Sequence, residues 1–544
     1  MFSNIWNNLP QQFQNDLATT ATFGTLLIIL YYIYIRNIRK NAKKRRGSVQ
    51  EAKRLDGPFS WPIVGNASQI SDGHITFCRW AEKYGPVYRI KLGTHFTLVL
   101  NSLSAIKQAI NQHRDIYSGR PIFKSNEVVS FGRGVAFNDR TTMPDWHKRK
   151  GFMVKKLHLY VVSSETKQKL EQNATKMILY LGTTVEQQAK KSVSGYIDPA
   201  DIVKTSIGNF MCLVCFGRSY PVTDEVFLRL LSNNKEFGEV AGMGNRIDTM
   251  PCLKIMPKYR KAAKEFETLS KRIRNWVYER FDENLAIHER GECKSLVDVF
   301  LQDDWTSNLT NGCQNGSNHS NSRMNKIDFV ALFVDIFGAG QDTLVSAQLF
   351  IFHYMLKYPS IAKKIRNEVN RVIGKNGTIS IADRPSLPYT EAVIHEVFRH
   401  SSLTATTIPH RTLADSVVQG YHVPSNSLVL LNFYAVNHDP NFWKSPEVFH
   451  PERFLLHSLE GGLELNKNII NKYLVFSSGA RKCPGDEITF HWLILSTSIL
   501  LHKYDLMQDP NYPATEGENF GLTARPQPFK MKLVRRHEQS NGTS

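Results

Sequence analysis

The sequence predicts a mainly α-helical α+β body with smaller β-sheets, carried behind one N-terminal transmembrane helix. Three observations point there. Helical periodicity runs from Trp146 to about Ile373 with no linker inside it, short β-rich stretches flank that block, and a charge-free apolar run lies near the N-terminus. The 544 residues are 42% hydrophobic and 22% charged, a mix that excludes bulk disorder and collagen-like structure. Seven cysteines, odd in number and without framework spacing, exclude a disulfide-built secreted domain.

Taken in order, residues 1–16 form a short leader to the apolar run Leu17–Ile35, which matches a bilayer core at 1.5 Å per residue. The stretch Arg36–Arg54 follows with nine basic residues against Glu51, so it holds +8 of the net charge of +19. By the positive-inside rule the N-terminus crosses the membrane and the body stays cytosolic. A cleaved signal peptide would need positive charge before the apolar run, and none is there. The basic run next to an anchor reads as lipid headgroup contact. No aromatic-interleaved basic patch follows, which sets nucleic acid aside as a partner. Residues 36–66 are expected to form a basic, then proline-stiffened hinge around Pro58 and Pro62.

The body is expected over 67–535, with a tail at 536–544. Tyr84–Leu100 alternates around a Gly-Thr turn and reads as a hairpin, and strand signals return at Ser416–Leu431. Residues 306–325 are an Asn/Ser/Gly-rich surface loop whose glycosylation-type triplets at Asn308, Asn315 and Asn318 would be silent in the cytosol.

Chemistry concentrates in FSSGARKCPG, Phe476–Gly485. A single Cys on a glycine-shaped turn, ahead of a helix that begins after Gly485, suits a thiolate presented under a flat cofactor. Gly479 would let the loop bend, and Arg481 would grip an acidic group. Zinc would want further Cys or His two to four residues away, and the nearest His is His491. A lone buried structural Cys is the bland alternative.

Phe476, Gly479, Arg481, Cys483 and Gly485 resemble the haem-binding loop of the cytochrome P450 monooxygenases. PYTEAVIHEVFRHSS from Pro388, NHDPNFW from Asn437 and MCLVCFG from Met211 resemble the animal microsomal branch that holds the aryl-hydrocarbon-oxidising and steroid 17-hydroxylating enzymes. The resemblance implies a P450 fold, haem b with Cys483 as its axial iron ligand, and insertion of one atom of O₂ into a lipophilic, planar aromatic or steroid-like substrate. Electrons would come from an NADPH–cytochrome P450 reductase docking near Cys483, with cytochrome b5 as a second donor. The location implied is the endoplasmic reticulum membrane.

The resemblance also assigns residues. Glu396 and Arg399 in HEVFR share a helix face and would join Arg453 of PERF in a buried structural network. GAGQDT, Gly338–Thr343, interrupts a long apolar helix; close helix packing is one reading of its glycines, and an oxygen groove is the other. In the second reading Thr343 bonds back to Ala339, and Asp342 with Thr343 relays protons. Substrate would lie against Asp335, Gly338 and Ala339, with Phe137 over a planar ring or else in the core. Trp146 would meet a haem propionate together with Lys150, which stands where the family has Arg; the bidentate fork is lost, or Arg149 takes it over. His410 would meet the other propionate. A haem-thiolate isomerase and a haem protein without turnover are the rival readings, and the Asp342–Thr343 pair argues against the first.

Overall fold

The computed structural model describes residues 53–241, 246–288, 293–302, 324–458, 461–515 and 517–536. The expected anchor, the basic run to residue 52, nearly all of the Asn/Ser-rich insert and the tail from 537 lie outside the described residues.

Helix α1, His74–Tyr84, precedes the expected hairpin, whose strands are β1, Val87–Leu92, and β2, His95–Leu100. They pair antiparallel from Val87 with Leu100 to Leu92 with His95, and Gly93 turns the chain at φ +59°. That left-handed value is the reason for glycine in a two-residue hairpin loop. The Pro58–Pro62 segment is no free hinge. Arg89 donates from its backbone to Asp56 O at 2.8 Å and from Nε to Leu55 O at 3.0 Å, and Asn66 N donates to Lys91 O at 2.7 Å. Residues 55–66 are thus fastened along β1, leaving Phe59, Trp61 and Ile63 exposed. Lys53 pairs separately with Gly420 and His422, as one small unit.

The helical block resolves into α2 (Trp146–Val162), α3 (Ser164–Lys191), α4 (Ala200–Phe216), α5 (Glu225–Ala241), α6 (Pro257–Ile287), α7 (Leu296–Leu301), α8 (Lys326–Lys357) and α9 (Pro359–Ile373). Helix α8 starts at a reciprocal cap: Asn325 Oδ1 accepts from Asp328 N at 3.0 Å, and Asp328 Oδ2 accepts from Asn325 N at 2.9 Å. It is apolar on nearly every face because α4, α6 and α11 (Asp486–Lys503) all pack around it. Among the described residues it is the one helix long and apolar enough to span a membrane, yet 67% of its apolar window is buried within the body. It is the core helix.

Helix α10, Pro388–Ser401, carries Glu396 and Arg399. The strand signals near 416–431 end in β4, Leu428–Leu431, which pairs antiparallel with β3, His410–Arg411, and parallel with β2, giving the order β1-β2-β4-β3. Pairing Thr97 with Leu428 joins segments far apart in the chain, a contact no local pattern announces. Strands β5 (Tyr504–Gln508) and β8 (Met531–Arg535) pair with each other, as do β6 (Glu518–Phe520) and β7 (Ala524–Pro526). The fold is thus mainly helical with small sheets, as expected.

Candidate active site

The loop before α11 closes on itself through Cys483 N donating to Phe476 O at 2.9 Å. Gly485 N donates to Cys483 Sγ at 3.4 Å, and the N-terminus of α11 begins one residue later. Burial pushes the thiol pKa up and Asp486 adds to it, while the Gly485 N–H, Lys150 and Lys482 favour the thiolate. Gly479 sits at φ +66°, where an added Cβ would strike the Ile110 carbonyl. Its requirement therefore comes from the packing of residues 110–111 behind the loop.

Cys483 lines a cavity of about 400 Å³ shared with α8, β3 and the β6–β7 turn. Two glycines of GAGQDT divide the two readings between them. At Gly340 a Cβ would meet Met211 of α4 at 2.5 Å, which is close helix packing. At Gly338 it would meet, among the described residues, only Asn234 Oδ1 at 3.6 Å, and that surface faces the cavity. Thr343 Oγ1 donates to Ala339 O at 2.8 Å, as expected, and also lines the cavity.

Asp342, expected to relay protons with Thr343, has both carboxylate oxygens engaged. Its Oδ1 pairs with Arg525 Nη2 at 2.6 Å, and its Oδ2 accepts from Thr523 Oγ1 at 2.7 Å. Thr523 and Ser346 hydroxyls lie 3.0 Å apart, so the β6–β7 turn is tied to α8 beside Thr343. Asp335 is likewise committed: the Ser130 hydroxyl and Ala136 N, at 3.0 Å, donate to it, holding the 130–136 segment to α8. Phe137 lines the cavity with Gly338 and Ala339.

A second feature is a cluster of positive charge. Lys150 Nζ donates to Ala480 O and lies 3.5 Å from Lys482 O. Arg481 donates to Ser118 O at 2.6 and 2.8 Å, Val135 O at 2.9 Å and Asn138 O at 2.6 Å. Arg120, which sequence reading missed, donates to Ala136 O at 2.8 Å, Ile408 O at 2.9 Å and Pro409 O at 3.1 Å. His410 is buried with Nδ1 at 2.8 Å from Tyr117 O, so Nδ1 carries the proton. All four line the cavity. Burial and the Arg481 and Arg120 charges push Lys150 down to about 8, and burial with Arg120 does the same to Arg481. Burial, opposed by Asp139, brings Arg120 to about 10, and burial with the surrounding cations holds His410 well below its usual value. This corner is short of negative charge.

Two expectations change here. Arg149 does not replace Lys150, because it is bound to Asp145 at 2.7 Å and Asp328 at 2.6 Å, at the start of α8. Trp146 donates its indole N–H to Val135 O at 3.0 Å and supports Arg481, whose guanidinium lies 4.0 Å from the ring centroid. It orients a cation instead of offering a donor of its own. The signal for Arg120 is thin, an arginine before proline in SGRP.

Among the described residues the buried acid beside Arg120 is Asp139, with Arg120 N at 2.7 Å and Arg411 Nη2 at 2.9 Å on Oδ2. Burial pushes it up, but hydrogen bonds from Thr141, Arg120 and Arg411 win and lower it from 3.8 to about 2. A depressed acid stabilises the fold above its unfolded pKa and loses that contribution as pH falls through the folded one. The expected loss is about 2 kcal/mol between roughly pH 4 and pH 2. Asp139→Asn should flatten that limb of a stability–pH profile measured by thermal denaturation; an unchanged limb would contradict the assignment.

Glu396, Arg399 and Arg453 meet as a network. Arg399 Nε and Nη2 lie 2.7 and 2.8 Å from the two Glu396 oxygens, and Arg453 Nε lies 3.2 Å from Oε1. Among the described residues no group of three or more His, Cys, Asp or Glu side chains could hold a metal ion. A metal at Cys483 would take its remaining ligands from a cofactor and not from the described side chains. A macrocycle with two carboxylates fits the donor set: one thiol, and a cation cluster short of anions.

The family model described as Cytochrome P450 matches residues 55–533. Cytochrome P450 1B1 of Homo sapiens is 33% identical over 96% of this chain and 94% of its own length. Cytochrome P450 1A1 of Oryctolagus cuniculus is 32% identical over 88% and 91%. A zebrafish cytochrome P450, solved with progesterone, superposes with a TM-score of 0.72 over 86% of this chain and 100% of that one, at 23% identity, a likeness of fold.

Proposed function

This chain belongs to the cytochrome P450 family and is a haem-thiolate monooxygenase, and from that premise we propose that it oxidises a lipophilic, planar aromatic or steroid-like substrate at the endoplasmic reticulum membrane. The observation that carries the reading is the single cavity that joins Cys483, its cation cluster and Thr343. Residues 17–35 anchor the chain, and the basic residues that follow keep the body cytosolic. An NADPH-dependent flavoprotein reductase, with cytochrome b5 as a second donor, supplies electrons from the Cys483 side.

Cys483 would hold the iron of haem b, while Arg120, Lys150 and Arg481 would take its carboxylates, one of which would draw a second proton onto His410 Nε2. When bound, the haem supplies oxygen activation, one atom going into the substrate and the other to water. Thr343 Oγ1 is the proton-bearing atom facing the cavity, held ready by its bond to the Ala339 carbonyl. Asp342, locked by Arg525 and Thr523, fixes the turn next to that hydroxyl. Gly338 and Ala339 leave room for substrate, and Phe137 offers a ring face.

Thr343→Ala tests the proton role. Loss of a positioned proton donor is expected to lower product formed per NADPH about tenfold or more, with peroxide rising in its place. Unchanged coupling would reject it.

A further inference from the structure

Helix α6 brings Ser270 and Arg274, four residues apart, onto one face, where both line the cavity. Ser270 is 3% exposed, and among the described residues its hydroxyl has no hydrogen-bond partner. The Arg274 Nε is buried and, among the same residues, unpartnered too. Among the described residues the Arg274 guanidinium takes no ion pair; it lies 4.8 Å from the ring centroid of Phe131. Burial presses its pKa down, and Glu267, seven residues earlier on α6, alone opposes.

Unmet donors in a cavity wall are costly unless a ligand meets them. The neighbouring acid cannot serve, because Asp335 is already taken by Ser130 and Ala136 N. Ser130 precedes Phe131, so Arg274 belongs to the Asp335 end of the cavity. Asp335 lies eight residues before Thr343 on α8, about 12 Å along its axis. One wall of the chamber is thus cationic and hydroxylic, the oxidising end is remote from it, and the space between is mostly apolar.

We propose that Arg274 and Ser270 form an anion subsite that receives the carboxylate of an elongated lipophilic acid and points its far end towards Cys483. The proposal rests on reading the cavity as the substrate chamber, and it adds amphipathic acids to the substrates that chamber takes. The charged end is gripped by a charge-assisted hydrogen bond and a hydroxyl, while the chain or ring lies along α8.

The test is calorimetric titration of the full-length holoenzyme in detergent with dodecanoate, dodecanamide and, as a neutral planar control, phenanthrene. The acid is expected to bind about tenfold more tightly than the amide. In Arg274→Gln that preference should collapse towards one, Arg274→Lys should restore part of it, and Ser270→Ala should reduce it to a lesser degree. Equal affinity for acid and amide in the parent enzyme, or an equal loss of both in Arg274→Gln, would overturn the subsite while phenanthrene binding upholds the chamber. Failure of all three ligands to bind would overturn both.

Discussion

Cys483→Ala is expected to leave a folded protein with no thiolate-type carbonyl spectrum and no monooxygenase turnover. The loop around it depends on backbone: Cys483 N donates to Phe476 O, and Gly479 keeps its left-handed geometry against Ile110. Neither uses the sulfur, so the fold should survive. Everything that favours the thiolate converges on that one atom: the Gly485 N–H, the Lys150 and Lys482 charges and the start of α11. Lys150 and Arg481 would still grip the cofactor's carboxylates in the variant, so some cofactor could be retained with altered ligation. The check is the reduced, carbon-monoxide-bound difference spectrum beside circular dichroism. Persistence of the red-shifted band of the parent enzyme would sink the assignment of Cys483.

Glu396→Ala should be the most destructive change away from the cavity. Glu396 and Arg399 are both fully buried, and Glu396 Oε1 also accepts from Arg453 and from His450 N at 2.7 Å. Removing the carboxylate leaves Arg399 charged in the interior, with only the Asn437, Pro446 and Val448 carbonyls to hold it. Breaking a buried pair from one side costs about 3–5 kcal/mol, a large share of the roughly 5–15 kcal/mol that keeps a domain folded. Arg453→Ala should be milder, because Arg399 still neutralises Glu396. Thermal denaturation and the yield of cofactor-loaded protein would rank the variants. A Glu396→Ala protein as stable as the parent would show that the network is dispensable.

The contrast between these two sites shows where legibility stops. The thiolate loop could be read because its geometry is local: one left-handed glycine, one cysteine and a helix start lie within ten consecutive residues. The 338–343 interruption was visible for the same reason, although only neighbours told its glycines apart. Met211 of α4 fills the space at Gly340, and among the described residues nothing but Asn234 approaches Gly338. The fates of the charged residues were not legible. Arg149 and Lys150 are adjacent in sequence, yet one caps the start of α8 and the other faces the cavity. The tether on Asp342 was hidden because Arg525 lies some 180 residues further on, in a short hairpin with no periodic signal.

By itself, then, the sequence determined the helical class, the family and the loop that presents its cysteine, since hydrophobic period, turn residues and a short contiguous motif are all encoded between near neighbours. Only the tertiary structure decided which cations share the cavity, that Trp146 props Arg481, that Asp342 is a tether, and that Arg274 and Ser270 stand unmet in the wall. Those outcomes depend on desolvation and on partners hundreds of residues apart, and a buried charge takes its role from whichever group the packed chain sets against it.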